Sequence, residues 1–139
     1  MNWLERQREI IDMFDFETDP GGSMCNLMSA GKELPAMWEG YVDAENMLQG
    51  CISMTYFVCE RAFGCTLHIE GMSNSGVMQG VIWVMRYIFE GVNISEIDMR
   101  LLNWHKESGL MSHLTPQRQG AVEQIIKRIG YVVGGIDKA

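Results

Sequence analysis

Four cysteines, at positions 25, 51, 59 and 65, and three histidines, at 68, 105 and 113, are the side chains of this 139-residue chain best suited to nucleophilic or metal chemistry. A zinc site needs several converging ligands, and a nucleophilic Cys or Ser needs a base within hydrogen-bond reach. The spacing argues against both. There is no C-x-x-C pair, Cys59-x5-Cys65-x2-His68 misses the usual zinc clip, and strand alternation puts Cys59 and Cys65 on opposite faces. None of His68, His105 and His113 lies in a recognisable motif, so each reads as a surface or capping group. No metal and no cofactor site is expected.

Cys51 differs by position. In "NMLQGCIS", residues 46–53, it directly follows Gly50, is flanked by the apolar Leu48 and Ile52, and has no histidine or charged residue within the eight. Glycine lets the backbone turn sharply and present the next side chain. The residues alone leave two readings open: a functional thiol where a connector becomes a strand, or a packed structural thiol.

The elements that position it follow from periodicity and punctuation. Asn2 caps a helix with Trp3, Leu4, Ile10, Ile11 and Phe14 at helical spacing, ending near Asp15 before "DFETDPGG". A short helix fits Gly22 to Ala30, stopped by Gly31, with Pro35 preventing resumption. The stretch to Asn46 reads as extended connector. From Ile52 the period changes to two, giving a strand through Cys59 and a second strand over Cys65, Leu67 and Ile69. A four-residue loop, "RAFG", predicts Val58 opposite Leu67 and Tyr56 opposite Ile69. Ser75 starts a central helix carrying Val77, Val81, Ile82, Val84, Met85, Ile88 and Phe89, ended by Gly91. Asn93 or Ser95 opens a short helix, Leu101 to Ser108 forms another, and Thr115-Pro116 begins the last, with the stripe Val122, Ile125, Ile126, Ile129 and Val133. Met24, Met28, Met54 and Met85 fall on apolar stripes and read as core filler. The glycine pairs 21–22 and 134–135 lie at element ends. Without βαβ alternation or an internal repeat, the expected class is α+β, a small antiparallel sheet of about three strands packed with helices.

The composition, 47% hydrophobic and 21% charged, suits one folded domain spanning residues 1–139. A net charge of −7 lacks the basic stripe of a nucleic-acid binder. The charged start "MNWLERQREI" is unlike a signal peptide, and the longest apolar run, Val77 to Phe89, is interrupted by Gln79, Gly80 and Arg86. A cytoplasmic protein with free thiols and no membrane partner is expected.

Three segments carry a resemblance. "LMSAGKELPAMWEGYVDAENMLQGCIS", "HIEGMSNSGVMQGVI" and "HLTPQRQGAVEQIIKRI", in order from about Leu27 to Ile129, resemble the successive signatures of the SufE family of sulfur-acceptor proteins. The resemblance implies a fold like that of the iron–sulfur scaffold IscU, with Cys51, the cysteine of the "GC" pair, on an exposed loop tip as sulfur acceptor. It further implies a sulfur carrier and desulfurase activator rather than a stand-alone enzyme. Its partners would be a pyridoxal-phosphate-dependent cysteine desulfurase and a cluster-assembly scaffold, with a homodimer left open. Cys51 would be sheltered by Met47, Leu48 and Ile52 until docking, and Arg118 of "LTPQR" would serve structure or docking and find a compensating carboxylate or carbonyl partner. Departures are Ile52 where the family commonly has Gln, Tyr56 near a usual Trp, and Asn74 where an acid is frequent. The residues themselves keep two other classes in play, a metal- or cluster-binding scaffold and a non-catalytic interaction domain.

Overall fold

The structure, a computed structural model, describes residues 1–50 and 53–134. Helix α1 (Trp3–Met13) opens on a capping box: Asn2 Oδ1 accepts from the Glu5 N–H at 2.8 Å, and Glu5 Oε1 accepts from the Asn2 N–H at 3.1 Å. Helix α2 (Pro20–Gly31) begins two residues earlier than the sequence suggests, because Asp19 caps it and Pro20 takes the first helical position, where no N–H is missed. A connector with a 3-10 turn at Glu39–Tyr41 leads to strands β1 (Thr55–Ala62) and β2 (Thr66–Ser73), an antiparallel pair. Helix α3 (Gly76–Phe89) follows, then 3-10 turns at Ile94–Glu96 and Met99–Leu101, the one-turn helix α4 (Trp104–Glu107), a 3-10 turn at Leu110–His113, and helix α5 (Pro116–Val133). The fold is α+β.

The sheet among the described residues has two strands, bordered on both edges by short bridging segments in place of a third. Residues 46–48 run along β1 through Phe57 N–H to Asn46 O and Leu48 N–H to Thr55 O, both 2.9 Å. Residues 91–94 run along β2 through Leu67 N–H to Val92 O and Ile94 N–H to Cys65 O.

The hairpin register corrects the sequence reading. Val58 pairs with Glu70 and Tyr56 with Met72, while Arg61 lies opposite Leu67. The turn is shorter than expected, with the left-handed Gly64 (φ 79°) and Cys65 (φ 58°) in it, so pairing continues to Ala62 and Thr66. A slip by an odd number of residues exchanges the faces of a strand. Phe57, Leu67 and Ile69 therefore form the fully buried face, and Tyr56 and Val58 lie on the other.

Helix α3 has nine of its fourteen residues buried, which makes it the axis of the core. It is approached closely from both sides. A methyl on Gly80 would lie 2.4 Å from Leu27 O and one on Gly31 2.7 Å from Gly80 N, so α2 and α3 touch backbone to backbone. Helix α5 covers β1 with Ala121, Val122, Ile125 and Ile129, while Ile126 and Val133 of the expected stripe are only partly buried. Two expected core methionines, Met28 and Met54, stand at the surface, the latter because it falls on the loop before β1. The helix expected over Leu101–Ser108 is divided into the 3-10 turn and α4, with Leu102 extended and Asn103 (φ −145°, ψ 6°) outside helical geometry between them.

That division is held by a side chain on α1. Gln7, 4% exposed, donates from Nε2 to Leu101 O at 3.0 Å and accepts at Oε1 from the Asn103 N–H (2.8 Å) and the Trp104 N–H (3.0 Å). Gln7→Met keeps the side chain's length but leaves these backbone groups without their partner. The expected cost is about 2 to 3 kcal/mol, read as a lower denaturant midpoint with an unchanged m-value.

Candidate functional site

Cys51 and Ile52 lie outside the described residues, and the site is defined by what surrounds them. The chain leaves the edge of β1 after Leu48 and returns at Thr55, where the Leu48 N–H to Thr55 O bond closes the foot of a six-residue excursion. Leu48, 3% exposed, is part of the core and anchors that foot, while Met47 is half-buried. Gly50 has φ +69°, and a Cβ there would meet nothing within 4 Å. A side chain at this position would be strained by backbone conformation alone, which favours glycine.

Both sides of the excursion are held by side-chain amides. On the entering side, Gln124 of α5 accepts from the Gln49 N–H at 2.9 Å and donates to the Gln49 carbonyl. One turn along α5, Arg128 donates to Asn46 O (3.2 Å), Met47 O (3.4 Å) and Phe57 O (3.0 Å). Its burial shifts the guanidinium pKa down, opposed by Glu45. On the leaving side, Asn74 accepts at Oδ1 from the Met54 N–H at 3.0 Å, and its own N–H donates to Met54 O at 3.1 Å. The sequence reading missed Gln124 and Arg128. Their i, i+4 spacing on a helix was visible, but nothing in it shows that their partners are backbone groups 71 to 82 positions away.

Beside the returning side lies an open cavity of about 440 Å³, lined by Ser53, Asn74, Ser75, Thr115, Gln117 and Arg118. Among the described residues the lining is polar, and its one ionisable group is a cation. Ser75 and Thr115 are the N-caps of α3 and α5, so two helix N-termini border the same cavity. In a chain of net charge −7 this is a locally electropositive spot. Arg118 reaches it from the first turn of α5. Among the described residues its guanidinium has neither an ion pair nor the carboxylate or carbonyl partner expected from the sequence.

The other thiols are placed apart from this site. Cys59 is on the core-facing side of β1, and burial, reinforced by Glu90 and Glu60, pushes its pKa up to about 12, so it is protonated at neutral pH. Cys25 is exposed on α2 and Cys65 is exposed in the hairpin turn. Among the described residues no three His, Cys, Asp or Glu side chains converge as a metal site, and no helix is long and apolar enough to cross a membrane.

Two of the histidines are more than surface or capping groups. His68 bridges two carboxylates, with Nε2 2.6 Å from Glu70 and Nδ1 3.0 Å from Glu90. Glu70 also accepts from the Trp38 N–H, and Glu90 from the Ile69 N–H, so the imidazole ties the connector and the end of α3 to β2. Burial by itself lowers its pKa, but the bonds to Glu90 and Glu70 outweigh this and raise it. His105 is the opposite case: buried beside Trp104 with Lys106 nearby, it is shifted down to about 4. His113 is exposed.

A sequence model of the SufE family, described as an Fe-S metabolism associated domain, matches residues 8–132. The chain belongs to the SufE family. It is 32% identical over 125 residues to an uncharacterized SufE-like protein of Rhizobium meliloti, covering 87% of this chain and 89% of that protein. It is 28% identical over 119 residues to an uncharacterized SufE-like protein of Synechocystis, covering 86% of this chain and 74% of that one. Among solved structures, a hypothetical protein from Thermus thermophilus shares the fold with a TM-score of 0.70 at 15% identity, over 94% of both chains. Membership ties this SufE-family chain to iron–sulfur metabolism, and the matched span includes the whole excursion from Gln49 to Met54 together with its anchors on α5.

The histidine geometry sets the pH dependence of stability. A raised histidine pKa contributes stability that is full below the ordinary 6.5 and lost as pH rises through the raised folded value; for His105, kept neutral, stability is present above 6.5 and lost as pH falls toward about 4. His68→Gln is therefore expected to destabilise the protein more near pH 6 than near pH 9 in denaturant titrations. Imidazole NMR titration should show His68 titrating above 6.5 and His105 well below it.

Proposed function

We propose that Cys51 is a sulfur acceptor, which takes a persulfide sulfur from a pyridoxal-phosphate-dependent cysteine desulfurase and passes it to an iron–sulfur cluster assembly scaffold. The observation that carries this reading is the family match across residues 8–132, which includes the glycine-cysteine loop. The geometry around the loop supports it: a glycine held at positive φ precedes the thiol, and an electropositive polar cavity lies beside Ser53. The pyridoxal chemistry belongs to the donor enzyme.

The transfer is thiol–persulfide exchange. The Cys51 thiolate attacks the outer sulfur of the donor persulfide, a new S–S bond forms on Cys51, and the donor's S–S bond breaks. The bonding pair leaves with the donor sulfur, which departs as a thiolate, so no external oxidant or reductant is needed. None of the described residues lining the adjacent cavity is a carboxylate or imidazole that could act as a base. An ordinary thiol near pKa 8.5 is only a few per cent ionised at neutral pH, so activation is assigned to the donor's site. Passing sulfur on is the same exchange with the scaffold's thiolate as attacker.

The test is incubation with a desulfurase and free cysteine, followed by peptide mapping for one added sulfur atom. Cys51→Ser is expected to abolish loading, while Ser at Cys25, Cys59 or Cys65 leaves it intact, with a stability cost at Cys59, where the side chain packs against the core. Loading of Cys51→Ser to the wild-type level would overturn the assignment. Arg118→Ala is expected to weaken stimulation of the desulfurase several-fold while shifting stability by less than about 0.5 kcal/mol, as suits a cation without a partner among the described residues. Unchanged stimulation would leave Arg118 as a solvated side chain.

A further inference from the structure

We infer that Gln124 is a positioning residue for the Cys51 thiol. The inference rests on the reading of Cys51 as sulfur acceptor, but it begins from a contact that this reading does not need. Gln49 is two residues before the cysteine and 75 residues from Gln124 in sequence, yet one carboxamide engages both of its backbone polar groups, accepting from the N–H and donating to the carbonyl. This is what a neighbouring strand residue would do in a ladder, supplied here by a helix side chain. It extends the line of backbone contacts along residues 46–48 by one residue beyond the end of the pairing with β1, and it stops immediately before Gly50.

Location gives the contact its consequence. Gly50, with φ +69° and open space around its Cα, is the point at which the chain is least restrained by its own sterics. The residue before such a point sets where the following segment begins, and the Gln49 backbone is fixed relative to α5 by this pair of bonds. Arg128 holds Asn46 and Met47 from the same helix, so the origin of the loop is referenced to α5 as a rigid element. The thiol of a carrier must reach a donor's persulfide within bonding geometry, and a small misplacement lowers rate more than affinity. Gln124 acts through Gln49 and touches neither sulfur.

The experiment uses Gln124→Met in the full-length protein, because methionine keeps the length and bulk and removes both hydrogen bonds. Ile129→Val, a core change on the same helix, supplies a comparable loss of stability away from the loop. The first readout is the iodoacetamide alkylation rate of each cysteine, resolved by peptide mapping. Two ordinary hydrogen bonds bias an opening equilibrium by roughly an order of magnitude, so Q124M is expected to alkylate about fivefold or more faster at Cys51, with Cys25, Cys59 and Cys65 unchanged. I129V is expected to leave the Cys51 rate within about twofold of wild type. The second readout is stimulation of a cysteine desulfurase: for Q124M the maximal rate should fall several-fold while the half-saturating concentration stays the same. An unchanged or slower Cys51 alkylation rate, an equal acceleration of all the cysteines, the same acceleration in I129V, or an unchanged maximal rate would each overturn the assignment. If neither wild type nor Q124M accepts sulfur while the Cys51-specific alkylation difference is present, the sulfur-acceptor reading fails and the anchoring of the loop by Gln124 stands.

Discussion

Every buried backbone N–H and C=O in this protein must find a partner, and the regular structure is too sparse to supply them all. Among the described residues a two-strand sheet completes few ladder bonds, and the stretches 32–50, 53–54 and 90–115 contain only short helical turns. Side-chain amides make up the deficit. Gln7 serves the backbone of 101–104, Gln79 accepts from the Ser73 N–H, Gln119 donates to Met111 O and Leu114 O, Asn74 serves Met54 and Gln124 serves Gln49. A carboxamide suits the task because it is neutral, so partial burial costs little once both ends are bonded, and because it carries donor and acceptor together in the spacing of a peptide group. The loops of this fold are fixed by helices reaching into them.

The hairpin depends on α3 in the same way. Two strands alone are marginal in water, and here one face is sealed by a helix buried on most of its circumference. Contact is close enough that Gly71 cannot carry a side chain: a methyl there would lie 2.8 Å from Tyr56 O and 2.9 Å from an Ile82 methyl. Gly80 and Gly31 play the equivalent part between α3 and α2. With both neighbours pressed against α3, the β1 edge and the N-terminus of α3 hold a fixed relation. The excursion from Gln49 to Met54 leaves and rejoins the fold between them.

Much of this was legible in the sequence, for reasons specific to each element. Caps and stops are local chemistry, so Asn2, Ser75, Gly91 and Thr115-Pro116 mark real helix ends. The apolar pattern of α3 and α5 gave their buried faces because burial follows helical periodicity. The hairpin register did not follow, because it is set by the turn, and Phe63-Gly64-Cys65 closes with a non-glycine residue at φ 58° that no pattern announces. Gln7 sits on the apolar side of α1 between Trp3 and Ile10, and helical spacing alone does not mark it, since its burial depends on partners 94 to 97 positions away. The same limit applies at the site. Glycine before cysteine drew attention to Cys51, whereas Gln124, Arg128 and the cavity beside Ser53 are products of long-range packing.

The distribution of thiols bears on how a carrier could work without an internal base. A nucleophilic cysteine held by its own histidine would be ionised at all times and open to oxidation whenever solvent reached it. Among the described residues the lowering influences near the loop are weaker and more diffuse: the N-termini of α3 and α5 and the arginine at the cavity next to Ser53. Fields of that kind stabilise an anion brought into the cavity, and they act on a thiolate or on an acidic group of a partner alike. Cys59 shows the other extreme, since a thiol under the sheet is pushed up to about 12 and is inert. Under the proposed function, reactivity is then a property of the complex: this chain contributes a loop whose two ends are held by amide anchors beside a mildly positive surround, and the donor contributes activation.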